Sequence, residues 1–191
     1  MKGKMDKEKL EKEIIEFLNE NSSRKGTLDV GCGLAHGSAC ALATCRNNKP
    51  RNTPVDFFSE GLVLWIGAEP GEKVVNIKEN PSVSVTVYKS VGDHSATNKS
   101  MQYFGNAALI TKKNNEKLYL EKFREFGMYD SMGKMVDDRI KRGELPESER
   151  ETFFEKVLNA FSLIRIEPEK IIYLYLEPEK SAVKYTWTKK E

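Results

Sequence analysis

Residues 62–81, LVLWIGAEPGEKVVNIKENP, decide how the rest of the chain is read. Leu62 to Ile66 is an unbroken apolar, β-favouring run and predicts a strand buried on both faces. Gly67, Pro70 and Gly71 then break it. From Glu72 onward Val74 and Ile77 fall at helical spacing among Lys73, Asn76 and Lys78, until Asn80 and Pro81 end the helix. A strand that turns through glycine into a helix leaves backbone N–H groups unpaired at the positive end of the helix dipole, and Lys73 adds a full charge there. Such a junction suits an anion, above all a phosphate. Taken alone, the same pattern also describes an ordinary turn with a solvated lysine.

Short strands flank this unit on both sides. Downstream, Ser82 to Tyr88 alternates Val83, Val85 and Val87 with Ser84, Thr86 and Tyr88, the pattern of a half-buried antiparallel strand. Met101 to Ile110 reads as another. Upstream, Ser38 to Arg46 runs into a turn at Asn47-Asn48-Lys49-Pro50, Arg51 to Phe58 returns, and Ser59-Glu60-Gly61 turns again. Small residues on both sides of Ala39 to Thr44 point to a second backbone, a ligand or a second subunit pressing close.

The ends are helical and then β-rich. Leu10, Ile14, Phe17 and Leu18 form an amphipathic stripe with Asp6 as N-cap, predicting a helix over about residues 6–20; Asn19 to Gly26 reads as a loop. Three further stripes, divided by Gly127, Gly143 and Pro146, occupy about residues 115–161; their methionines read as core fillers. Ser162 to Glu167 and Ile171 to Leu176 are two β-rich runs separated by Pro168-Glu169. Ala182 to Thr188 is a last strand or a docking tail, and Tyr185 and Trp187 there reach a dimer interface or dock that tail. The expected fold is mainly β (α+β): one domain over 1–191, an antiparallel split β-barrel with an N-terminal helix and a helical insertion before the last barrel strands.

Thr27 to Ala39 carries a competing signal. Asp29-Val30-Gly31-Cys32-Gly33 resembles the glycine-rich first motif of S-adenosylmethionine-dependent methyltransferases, and Asp56 lies near the distance of that family's ribose-binding acid. A Rossmann-like unit requires a crossover helix between the two, and Ser38 to Arg46 reads instead as a strand entering a hairpin.

Composition excludes several classes. Lys and Arg total 31 against 29 Asp and Glu, so the net charge of +2 gives no argument for nucleic acid. No apolar run approaches the roughly 18 residues of a membrane span, and the charged start lacks a secretory apolar core, so a cytoplasmic protein without membrane contact is expected. Cys32, Cys40 and Cys45 lack paired metal-ligand spacing and read as reduced thiols. His36 and His94 stand alone as loop or surface histidines. Lys89 to Lys99 is a polar loop, exposed or lid-like. Trp65 and Tyr103 read as core or ring-stacking aromatics.

The order of these elements resembles a known family. ALATCRNNKPRNTPVDFFSEGLVLWIGAEPGEKVVNIKENPSVSVTVY, with Gly105-Asn106-Ala107 and the closing FSLIRIEPEKIIYLYLE, is similar to the pyridoxamine 5′-phosphate oxidase-like FMN-binding split-barrel family from about Ala39 to Glu177. That resemblance implies an FMN-binding homodimer with flavin sites at the subunit interface. It implies Thr53, Pro54, Val55 and Asp56 along the ring and ribityl chain, Ile66, Gly67, Gly71 and Lys73 on the strand-to-helix side and at the phosphate, and Gln102 near the ring. Flavin chemistry supplies its own reactive atom, so no protein acid/base pair is required. The family commonly has Ser-Arg-Lys where this chain has Gly71-Glu72-Lys73, which shifts the phosphate toward backbone N–H groups and Arg46, Arg51 or Lys99. Phe58 stands where the true oxidases have lysine, so a vitamin B6 reaction is not expected. The expectation is an oxidoreductase passing hydride or electrons between a reduced nicotinamide or other donor and a small-molecule substrate. A non-enzymatic cofactor or electron-transfer module, and a methyltransferase, are the alternatives.

Overall fold

The computed structural model describes residues 3, 5–23, 39–88, 98–176 and 180–190. The glycine-rich segment at Asp29 to Gly33, Cys32, His36, His94 and the Lys89–Thr97 part of the polar loop lie outside the described residues.

An N-terminal helix α1 (Lys7–Asn21) is capped by Asp6, whose carboxylate accepts from the N–H groups of Glu8 and Lys9. Its apolar stripe of Leu10, Ile14, Phe17 and Leu18 is fully buried, as the 3.6-residue spacing requires. Strands β1 (Ala39–Arg46) and β2 (Lys49–Asp56) follow as a hairpin. Its two-residue turn is Asn47-Asn48, with φ of 50° and 59°, the left-handed geometry that matches strand twist. Lys49 and Pro50 therefore belong to the strand. Pro50 is tolerated because β2 is an edge, where a missing N–H costs no ladder bond.

β3 (Phe58–Glu60) and β4 (Val63–Ala68) form a second hairpin, and α2 (Glu72–Glu79), β5 (Ser82–Tyr88) and β6 (Asn98–Ile110) come next. The insertion comprises α3 (Glu116–Glu125), α4 (Met128–Lys141), a 3₁₀ turn at Glu147–Glu149 and α5 (Arg150–Ala160). β7 (Ser162–Leu176) and β8 (Val183–Thr188) close the described chain. All strand pairs are antiparallel, in the order β2-β1-β5-β6-β7-β4-β3 with β8 also on β7. The sheet curls until β2 and β4 come into contact without a ladder between them among the described residues. This is an antiparallel split barrel in a mixed α+β fold, and a doubly wound parallel sheet is excluded for the described residues.

The two β-rich runs around Pro168-Glu169 are one strand. β7 pairs with β6 along its whole length, and on its other side it pairs with β4 through Ile166 and with β8 from Lys170. Pro168 sits where the partner changes, opposite a register shift at Phe104/Gly105. A Cβ on Gly105 would fall 2.1 Å from the Glu167 carbonyl oxygen, so close backbone approach demands glycine here.

Two apolar clusters result. Inside the barrel, Leu42, Val85, Tyr103, Ile166 and Ile171 pack with the α1 stripe and with Val74 and Ile77 of α2. Outside it, Trp65 and Phe58 pack against Phe123, Phe126, Val136 and Leu158 of the insertion. Trp65 is a core residue, its indole N–H donating to Glu60 at 2.8 Å. The Tyr103 hydroxyl lies 2.9 Å from the carbonyl oxygens of both Leu62 and Ile166 and is likewise structural. Trp187 docks β8 on α1 by donating to Glu11 at 2.9 Å.

Candidate functional site

The strand-turn-helix corner reads as its sequence suggests. Ala68 ends β4, and α2 starts at Glu72 after Gly71, which offers no side-chain cap. Val74 and Val75 N–H groups bond the Gly71 carbonyl at 3.0 and 3.1 Å, which leaves the Glu72 and Lys73 N–H groups without an intrahelical acceptor. Gly71 has extended φ and open space where a Cβ would sit, so neither strain nor crowding calls for glycine. α2 is pinned to the end of β1: Asn76 Nδ2 donates to Thr44 Oγ1 at 3.0 Å, and Asn80 Nδ2 donates to the Cys45 carbonyl at 3.1 Å. Both Asn76 and Thr44 are buried, which fixes where the helix begins.

Charges around that helix start are sorted by partner. Arg46 reaches both Glu72 at 3.8 Å and Glu79 at 3.2 Å, so its guanidinium offsets the carboxylate in the first turn. Lys99 is turned away to Glu13 of α1 at 3.7 Å and lies over the Tyr175 ring; it is not at this corner. Lys73 is half-buried and has no ion pair among the described residues. Arg51 is exposed on the β2 edge.

Across the split, a cavity of about 570 Å³ opens between barrel and insertion. Its barrel side is Val55, Asp56, Phe58, Gly67 and the turn residues Glu69 and Pro70; its other wall comes from α3, α4 and α5. Gly67 faces outward, and a Cβ there would lie 3.1 Å from Met128 Sδ and 3.3 Å from the Phe161 ring. Three of the residues singled out in the sequence, Val55, Asp56 and Gly67, thus share one cavity, and Gly71 and Lys73 begin the helix directly after its rim. Thr53 is half-buried on the edge strand beside them, and Pro54 is exposed there. Ile66 is fully buried in the barrel, so only its main chain can meet a ligand.

Gln102 is exposed elsewhere on the sheet. Ladder registers align Pro54, Ala41, Thr86, Gln102, Ile172 and Thr186 in one row on the outer face. Three strand spacings, about 14 Å, separate Gln102 from Pro54. Tyr88 and Phe104 are the large apolar side chains exposed on this face, at 60% and 38%.

Cys40 is buried beside Asp56; burial, with that carboxylate's charge adding, pushes its thiol up to about 12, which makes it inert at neutral pH. Among the described residues no cluster of His, Cys, Asp or Glu is arranged to hold a metal. No described helix is long and apolar enough to cross a membrane. The corner therefore offers donors to an anion, and the cavity a mostly apolar lining to a small molecule. Reading the sequence missed the cavity's far wall: Met128, Met132 and Met135 repeat at helical spacing and were indistinguishable there from ordinary core fillers.

Comparison with known proteins agrees with this fold. Residues 33–175 match the family model described as pyridoxamine 5′-phosphate oxidase. A pyridoxamine 5′-phosphate oxidase-related, FMN binding protein from Nostoc punctiforme PCC 73102 superposes with TM-score 0.54 at 16% identity, covering 80% of this chain and 82% of that one. A protein related to general stress protein 26 from Clostridium acetobutylicum gives 0.53 at 13% identity over 97% of both chains. General Stress Protein 26 from Bacillus anthracis str. Sterne gives 0.50 at 20% identity, over 87% and 97%. At these identities the likeness is one of fold. No curated protein matches the sequence significantly.

Proposed function

Because the chain belongs to the pyridoxamine 5′-phosphate oxidase family, we propose that it is an FMN-binding flavoprotein, an oxidoreductase that accepts hydride or electrons from a reduced nicotinamide or another donor and passes them to a small substrate. The observation that carries this reading is the adjacency of a helix start with no side-chain cap among the described residues, a Lys73 that pairs with no described residue, and a cavity rimmed by Val55, Asp56 and Gly67.

The residues present fit the cofactor. Two backbone N–H groups at Glu72 and Lys73 and the Lys73 ammonium supply donors for the phosphate, and Arg46 offsets Glu72. Thr53, Pro54, Val55 and Asp56 supply the edge-strand side for the ribityl chain and ring, and Gly67 keeps the strand end free of side chain. When bound, FMN supplies a ring that takes and gives a hydride or single electrons. The chain's own residues orient that ring against the sheet and, on the insertion side, exclude water with apolar side chains.

A homodimer completes the proposal. The outer row of Pro54, Ala41, Thr86, Gln102 and Ile172 is free of charge, and Tyr88 and Phe104 stand exposed on the same face. In a two-fold dimer built on this face, Gln102 of one subunit approaches the Pro54 edge of the other, which reconciles the 14 Å separation within one chain.

The test is the visible spectrum of the purified full-length protein, followed by FMN titration and anaerobic addition of NADH or NADPH. Flavin absorption that bleaches with a nicotinamide supports the oxidoreductase. Flavin that binds but is never reduced supports the binding-module alternative. A colourless protein that takes up no FMN overturns the flavoprotein reading.

A further inference from the structure

The wall that the helical insertion gives to the cavity has a chemistry of its own. Met132 and Met135 of α4 and Phe153 of α5 line the same space. Methionine sulfur favours aromatic partners and adapts to flat ligands of varied outline. Lys156, on the exposed face of α5, is the sole cation among the described lining residues, and no described residue pairs with it; its neighbour Glu155 is taken by Lys112 at 2.6 Å. Both lining carboxylates, Asp56 and Glu69, come from the barrel side. An acidic ligand is therefore repelled by the barrel wall and attracted by the insertion wall, which sets its orientation. A volume of about 570 Å³ lies in the range of small-molecule sites.

We propose that the insertion side of this cavity is a subsite for a flat aromatic or conjugated carboxylic acid, its rings held by Met132, Met135 and Phe153 and its carboxylate by Lys156. That this ligand is the substrate rests on the flavoprotein reading; that it binds does not.

Calorimetric titration of the full-length protein with 2-naphthoate, 2-naphthamide and decanoate tests the proposal. 2-Naphthoate is expected to bind about fivefold tighter than 2-naphthamide, the scale of one solvent-exposed ion pair, and tighter than decanoate. Lys156→Gln brings the acid down to the level of the amide and leaves the amide unchanged. Met135→Ser weakens both aromatic ligands. Equal affinity for acid and amide, tighter binding of decanoate, no effect of Lys156→Gln, or no 2-naphthoate binding at about 1 mM overturns it. Absorbance of the same samples separates the two readings. Naphthoate binding to protein that takes no FMN defeats the flavoprotein alone; flavin-loaded protein that ignores naphthoate defeats the subsite alone.

Discussion

Replacing Lys73 by alanine isolates the charge at the start of α2. The side chain is half-buried and pairs with no described residue, so its removal breaks no ion pair among the described residues. A hydrogen bond to a charged group contributes about 1.5–3 kcal/mol, and partial exposure reduces that to about 1–2 kcal/mol, or roughly 5- to 30-fold in Kd for FMN. Quenching of flavin fluorescence on titration measures it. Riboflavin, which lacks the phosphate, provides the control: its affinity should not change. Thermal unfolding should also be unaffected, because surface substitutions of this kind stay within about 0.5 kcal/mol. Glu72→Gln should move FMN binding the opposite way by removing the carboxylate from the first turn, while Arg46 stays held by Glu79 at 3.2 Å. An unchanged Kd for FMN in Lys73→Ala, or an equal loss for riboflavin, refutes the placement of the phosphate at this corner.

Gly105→Ala drives a Cβ to 2.1 Å from the Glu167 oxygen and should cost at least about 3 kcal/mol, a fall of some 6–12 °C in Tm. Asn76→Ala removes the buried bond to Thr44 and should cost about 1–3 kcal/mol in urea unfolding while also weakening FMN, because it unpins the helix start. Cys40 has its folded-state pKa raised to about 12 from 9.0; its contribution is fully present below pH 9 and declines as pH rises toward 12. Urea midpoints of wild type and Cys40→Ala, compared at pH 8 and pH 10.5, should converge at the higher pH.

Local chemistry made most of the fold legible. Helix α2 and strand β5 fall at the residues their patterns mark, because Gly71 and Asn80-Pro81 punctuate one and strict valine alternation defines the other. The errors have physical causes. Pro50 reads as a turn residue, yet edge position lets it join β2. Pro168 reads as a strand break, yet it only marks the change of partner from β4 to β8. Position along a chain does not reveal which neighbour a strand has on each side. The corner at Gly71 and Lys73 was legible for the same local reason. Lys99 was not: its pairing with Glu13 spans most of the fold and depends on where α1 lies. Nor was the cavity, since Met132, Met135 and Lys156 meet Val55 and Gly67 only once the insertion has folded back.

The placement of that insertion bears on how the molecule assembles. β6 ends at Ile110 opposite Leu163 near the start of β7, so the longest ladder of the sheet must wait for residues 111–161 to bring their ends together. Helix formation within this segment shortens the effective loop and lowers its closure entropy. Side chains such as Phe123 and Leu158 would then set the speed of folding as well as one wall of the cavity's surroundings. Variation that adapts the insertion to a new ligand is thereby constrained by the kinetics of closing the barrel.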